Sequence, residues 1–116
     1  MQLIINAPKL FVAATPVDFR RSIDGLCSII HEQMLEDPQA HIYVFHNTAK
    51  DKLKIIGWHK NGYVLIYKRL ERGKFTFTKS VDNCVEISQQ QLSWLIAGLD
   101  WVNMSSWDEL KFDDFY

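Results

Sequence analysis

Cations and large aromatic rings alternate through one stretch of the chain, as Lys54, Trp58, Lys60, Tyr63, Tyr67 and Arg69, with Arg72 and Lys74 close behind. This pattern suits nucleic acid: the cations neutralise phosphates, and each ring offers a stacking platform worth about 1–3 kcal/mol per base. Catalytic chemistry has no such support. His31, His41, His46 and His59 stand in no metal-ligand spacing, and Cys27 and Cys84 do not complete one. Cys27 sits in an apolar helical stripe with no partnering base, so it reads as packing rather than as a nucleophile. Asp18 and Asp24 with Arg20 and Arg21 form a polar cluster at a helix start, where capping and dipole pairing explain them as well as acid–base work does. With no phosphate-binding glycine loop, the residues argue for a binding protein that is not an enzyme and uses no metal or cofactor.

The same basic aromatic face has two other readings. A helix covering it would make Trp58, Tyr63 and Tyr67 ordinary core, with only the basic tips exposed. It could equally form a protein–protein interface, where Trp, Tyr and Arg anchor affinity.

The elements that position these residues follow from local signals. Leu10 to Ala14 reads as a strand. Thr15-Pro16-Val17-Asp18 looks like a helix start, and Phe19, Ile23, Leu26, Ile30 and Met34 follow at helical spacing until Asp37-Pro38, which predicts a helix of about 17 residues. Gly25 inside it suggests the close approach of another backbone. His41 to His46 and Lys52 to His59 read as strands. Asn61-Gly62 predicts a type I′ hairpin pairing Lys60 with Tyr63, Trp58 with Leu65, Ile56 with Tyr67 and Lys54 with Arg69. That register puts Lys68 on the apolar face, where its ammonium is expected to find Asp18 or Asp24.

Lys74 to Thr78 reads as a further strand and Cys84 to Ile87 as a short edge strand. Ser88 to Gln91 is an S-x-x-Q capping box opening a helix with Leu92, Leu95, Ile96 and Leu99 on its apolar stripe. The expected architecture is α+β: a mostly antiparallel sheet of four to five strands with a helix near each end. Residues 1–104 form one domain, and 105–116 form an acidic aromatic tail.

The 116 residues carry a net charge of −1, which hides a strong asymmetry. From His46 to Lys79 nine basic residues face only Asp51 and Glu71, whereas from Ser80 to Tyr116 Lys111 alone opposes seven acids. Such a split suits a polyanion or a charge-complementary partner. No apolar run is long enough to span a bilayer, so no membrane partner is expected and the cytoplasm is the default compartment. The two cysteines, far apart in sequence, read as small reduced hydrophobes.

Several ordered motifs together resemble a known family. Pro16-Val17-Asp18-Phe19-Arg20-Arg21-Ser22-Ile23-Asp24-Gly25-Leu26 comes first, then Asp37-Pro38, Val44-Phe45-His46-Asn47 and Asp51-Lys52-Leu53-Lys54-Ile55. Trp58 with Asn61-Gly62-Tyr63 and the run KRLERGKF from Lys68 to Phe75 complete the set. Over Leu10 to Leu99 the chain is similar to the TnpB-type accessory proteins of bacterial insertion sequences of class sixty-six, which are unrelated to the RNA-guided nucleases of the same name. The resemblance implies a non-catalytic accessory role in transposition, beside a larger transposase that carries the catalytic carboxylates. The expected function is therefore DNA binding in the bacterial cytoplasm, through Lys54, Trp58, Lys60, Tyr63, Tyr67, Arg69, Arg72 and Lys74, with Asp18, Arg20, Asp24 and Lys68 as a structural polar cluster. The alternative is a protein-interaction module that docks the transposase or a companion accessory protein without touching DNA. Complementary basic and acidic patches also suit homo-oligomer formation.

Overall fold

The computed structural model describes residues 8–105. Its elements run β1 (Leu10–Ala13), α1 (Ile23–Glu32), β2 (Ile42–His46), β3 (Lys52–His59), β4 (Gly62–Arg69), β5 (Cys84–Ile87), α2 (Gln89–Ile96) and α3 (Trp101–Ser105). The strands form one sheet in the order β4-β3-β2-β1-β5, antiparallel except for the β1–β2 pair. This is the expected α+β architecture. Both faces of the sheet are covered. α1 lays Leu26, Ile29 and Ile30 on Phe11, Tyr43, Phe45 and Ile56, while α2 and α3 bring Trp94, Leu95 and Trp101 onto Leu10, Val12, Val44, Leu53 and Ile55. A strand buried on both sides reads as continuously apolar, and Tyr43, Val44 and Phe45 of β2 are fully buried.

Three local expectations are corrected. α1 has 10 residues, beginning at Ile23 with Ser22 as N-cap, instead of starting near Thr15. The segment before it bends because its polar groups are engaged elsewhere. The Val17 N–H donates to the His46 carbonyl at 2.9 Å, and Asp18 Oδ1 accepts from the Arg20 N–H at 2.9 Å. The Phe19 carbonyl, which a longer helix would use internally, accepts from Lys54 Nζ at 2.8 Å. Gly25 admits no foreign backbone: a Cβ there would meet the Arg21 side chain at 3.2 Å. Residues 74–78 form no strand; Phe75 instead turns into the core at 2% exposure.

The β3–β4 hairpin forms, but its register is two residues from that expected. Lys54 lies opposite Tyr67, Ile56 opposite Leu65, Trp58 opposite Tyr63 and His59 opposite Gly62. The loop is therefore Lys60-Asn61, with Lys60 taking the positive φ of 57°. The shift preserves which residues share a face. It removes Arg69 from opposite Lys54 and brings the Trp58 and Tyr63 rings edge to face at 5.0 Å. The capping box is present as read: Ser88 Oγ accepts from the Gln91 N–H at 3.1 Å, and Gln91 Oε1 accepts from the Ser88 N–H at 2.8 Å. Gly98, at φ 77°, turns the chain after α2.

Candidate nucleic-acid interface

The expected basic aromatic face divides into three places. Lys54, at 9% exposure, is buried under the 15–22 segment, where Nζ donates to the carbonyls of Phe19 (2.8 Å) and Arg21 (3.0 Å) and lies 5.0 Å from the Phe19 ring centroid. It is a structural cation with no reach to a phosphate. Trp58 and Tyr63 are half-buried beside the hairpin loop that carries the exposed Lys60. Tyr67, Arg69, Arg72 and Lys74 are exposed at the other end of β4. Along β4, Tyr63 lies about 13 Å from Tyr67 and about 20 Å from Arg69.

The polar cluster also divides. Asp18 and Arg20 pair on the surface, Oδ2 to Nη2 at 2.7 Å, and the guanidinium holds the Asp18 carboxyl at about 2, below its ordinary value. Asp24 is exposed in the first turn of α1. Lys68 reaches neither acid, because α1 covers the opposite face of the sheet; its Nζ donates to the Ile96 carbonyl at the end of α2, at 2.6 Å.

Three loops meet at the Arg69 end of the sheet and are bonded to one another. Between β2 and β3, Asn47 organises a tight turn. Its Oδ1 accepts from the Asp51 and Lys52 N–H groups (3.1 and 3.0 Å), and its Nδ2 donates to Asp51 Oδ1 (2.6 Å). That amide bond is the main reason the Asp51 carboxyl titrates below its ordinary value. The segment after β4 then closes on this turn: the Leu70 N–H donates to the Asp51 carbonyl, the Phe75 N–H to the Lys50 carbonyl and Lys74 Nζ to the Ala49 carbonyl, each at 2.7 Å. The 15–22 loop joins through Val17 and Lys54. Below them His46 is buried at 2% exposure, stacked on Phe77 at 3.8 Å, with Nε2 donating to the Ala13 carbonyl at 3.0 Å. Burial pushes its pKa down.

The result is a basic end carrying Arg20, Arg21, Lys50, Lys52, Arg69, Arg72 and Lys74 around Tyr67, which is 51% exposed. Asp18 and Glu71 hold Arg20 and Arg69 (2.7 and 2.9 Å). No hydrogen bond or ion pair among the described residues engages the side chains of Arg21, Lys50, Lys52 or Arg72. Arg21, Lys50 and Lys52 were not anticipated as site residues. The Asn47 to Asp51 spacing is the sequence signal that brings the two lysines to this end.

The cysteines are free and half-buried, with burial pushing both thiols up, which leaves them weak nucleophiles. Among the described residues no group of three His, Cys, Asp or Glu side chains is placed to hold a metal, and no helix is long and apolar enough to cross a membrane. The acidic aromatic segment 106–116 lies outside the described residues.

Comparison with known proteins places these loops in a family context. The family model described as IS66 Orf2 like protein matches residues 8–106. The uncharacterized protein y4jC of Sinorhizobium fredii is 39% identical over 97 residues, covering 83% of each chain. A second protein of that organism, y4hO, is 30% identical over 94 residues, covering 80% of this chain and 82% of its own length. No solved structure matches. The chain belongs to the IS66 Orf2-like family, and that membership implies an accessory role in insertion-sequence transposition.

Proposed function

We propose that the protein is a non-catalytic accessory factor that binds DNA through the basic end of its sheet. The observation that carries this reading is the mutual pinning of the three loops, which anchors the backbone of Arg21, Lys50 and Lys52 and both ends of the turn bearing Arg72, beside an exposed Tyr67. A cation carried on a pinned loop costs little loop freedom on binding, so more of its attraction to a phosphate is retained as affinity. Trp58, Tyr63 and Lys60 are at the remote hairpin end and take no part in this contact. Backbone phosphates confer no sequence preference, and one ring adds stacking without base readout.

Fluorescence anisotropy with element-end and random duplexes over a range of salt tests the proposal. Neutralising about four phosphates gives log affinity against log salt a slope close to −3.6, and the two duplexes should bind with similar affinity. Arg72→Ala should weaken binding and make the slope shallower by about one. No binding at low salt, alongside retention of the transposase in a pull-down, would replace this reading with a protein-docking one.

A further inference from the structure

We propose that two copies of this chain join through the outer edge of β4 into a two-fold dimer with one continuous antiparallel sheet. This goes beyond the DNA-binding reading and does not depend on it. β4 is the edge strand at one side of the sheet, is eight residues long, contains no proline and pairs with β3 without a bulge. Natural edge strands of this length are ordinarily shortened, bent, charged or covered, because an open row of backbone donors and acceptors recruits another strand; β4 has its two charges, Lys68 and Arg69, at one end only and leaves 62–67 uncharged.

Register identifies which groups are open. The Leu70 N–H donates inward to the Asp51 carbonyl. Antiparallel pairs alternate, so Gly62, Val64, Ile66 and Lys68 also spend their backbone groups on β3, and Tyr63, Leu65, Tyr67 and Arg69 direct theirs outward. Among the described residues no hydrogen bond reaches the outward N–H and C=O groups of those four residues.

A second copy fits this edge because the strand is complementary to itself. An antiparallel pair centred on Ile66 uses all four outward residues, setting Leu65 opposite Tyr67 and Tyr63 opposite Arg69. Cation meets ring at each end, and Val64 lies opposite Lys68, so no two cations of β4 oppose one another. Just beyond the strand, Glu71 of one copy comes beside Asn61 and Lys60 of the other. The central Ile66 pair is of the closely spaced kind, with Cα atoms about 4.5 Å apart, inside the range a disulfide spans.

Sedimentation of the full chain from low to high micromolar concentration should show a mass twice the 13.6 kDa of one chain. Tyr67→Pro removes an outward N–H that β3 does not use, so it should keep the native circular dichroism spectrum and weaken the dimer at least tenfold. Under mild oxidation Ile66→Cys should form a disulfide dimer, while Val64→Cys and the wild-type chain should not. The cross-link keeps the test decisive if the proline variant fails to fold. A monomer at every concentration would leave the edge to a strand from another protein and overturn the proposal. So would a dimer unaffected by a folded Tyr67→Pro, or cross-linking through Val64→Cys in place of Ile66→Cys.

Discussion

Lys68 Nζ donates to the Ile96 carbonyl at 2.6 Å, tying the edge of the sheet to the last residue of α2. The contact places a cation at the negative end of a helix, where carbonyls lack internal partners. α2 has no basic residue in its own last turn. A residue from β4 supplies the charge.

Lys68→Ala should therefore destabilise the fold by about 1–2 kcal/mol, lowering the melting temperature by roughly 5 °C, while DNA affinity changes little. Thermal melts followed by circular dichroism check the first part and anisotropy the second. An unchanged melting temperature would show that the contact contributes nothing net.

Lys54→Met keeps most of the side-chain volume but leaves the Phe19 and Arg21 carbonyls without their donor. A loss of about 2–4 kcal/mol is expected. Hydrogen exchange should accelerate at residues 17–21 more than in α1. DNA affinity should fall with it, because Arg20 and Arg21 lose their anchored position. Uniform exchange across the chain would count against a local role.

Lys50 and Lys60 both hold positive φ values, 61° and 57°, which cost a residue with a Cβ more than they cost glycine. Lys50→Gly and Lys60→Gly should each stabilise the fold by up to about 1 kcal/mol. Only Lys50→Gly should weaken DNA binding, by several-fold, since Lys60 lies at the far end of β3. Equal losses from both variants would show that the hairpin loop contacts DNA as well.

His46 gives stability a pH dependence of predictable sign. Burial lowers its folded pKa below the ordinary 6.5, so near that pH the unfolded chain binds a proton that the folded chain refuses. Its contribution is complete above about 6.5 and is lost as pH falls through the folded value. The Asp18 carboxyl, held at about 2 from an ordinary 3.8, titrates below this window. His46→Gln should flatten the decline in melting temperature below pH 6.5; an unchanged decline would assign it to other groups.

The fold was legible in the sequence wherever a signal was local and uncontested. Ser88 and Gln91 cap α2 as their spacing implies, and the alternation within β3 and β4 sorts residues correctly between the two faces. Reading failed where a distant group competed. Thr15 to Asp18 resembles a helix start, but Lys54, more than thirty residues away, takes the carbonyls that a helix would need. Asn61-Gly62 favours its own turn, yet cross-strand pairing of Trp58 with Tyr63 moves the loop to Lys60-Asn61. The basic character of the middle segment was evident from the count of charges. Which lysines reach solvent was not, because alternation assigns a residue to a face without saying what covers it.

The order of strands in the sheet bears on how the chain assembles. β2, β3 and β4 are consecutive in both sequence and space, so short loops suffice to pair them. β1 pairs with β2 on one side, but its outer edge waits for β5, with Leu10 opposite Ile87 and most of the domain between them. Closing so long a loop costs more entropy than closing a hairpin, so the meander is the favoured nucleus and the β1–β5 pair the late event. During synthesis the meander leaves the ribosome before β5 does, and the outer edge of β1 stays open until residue 87 has emerged.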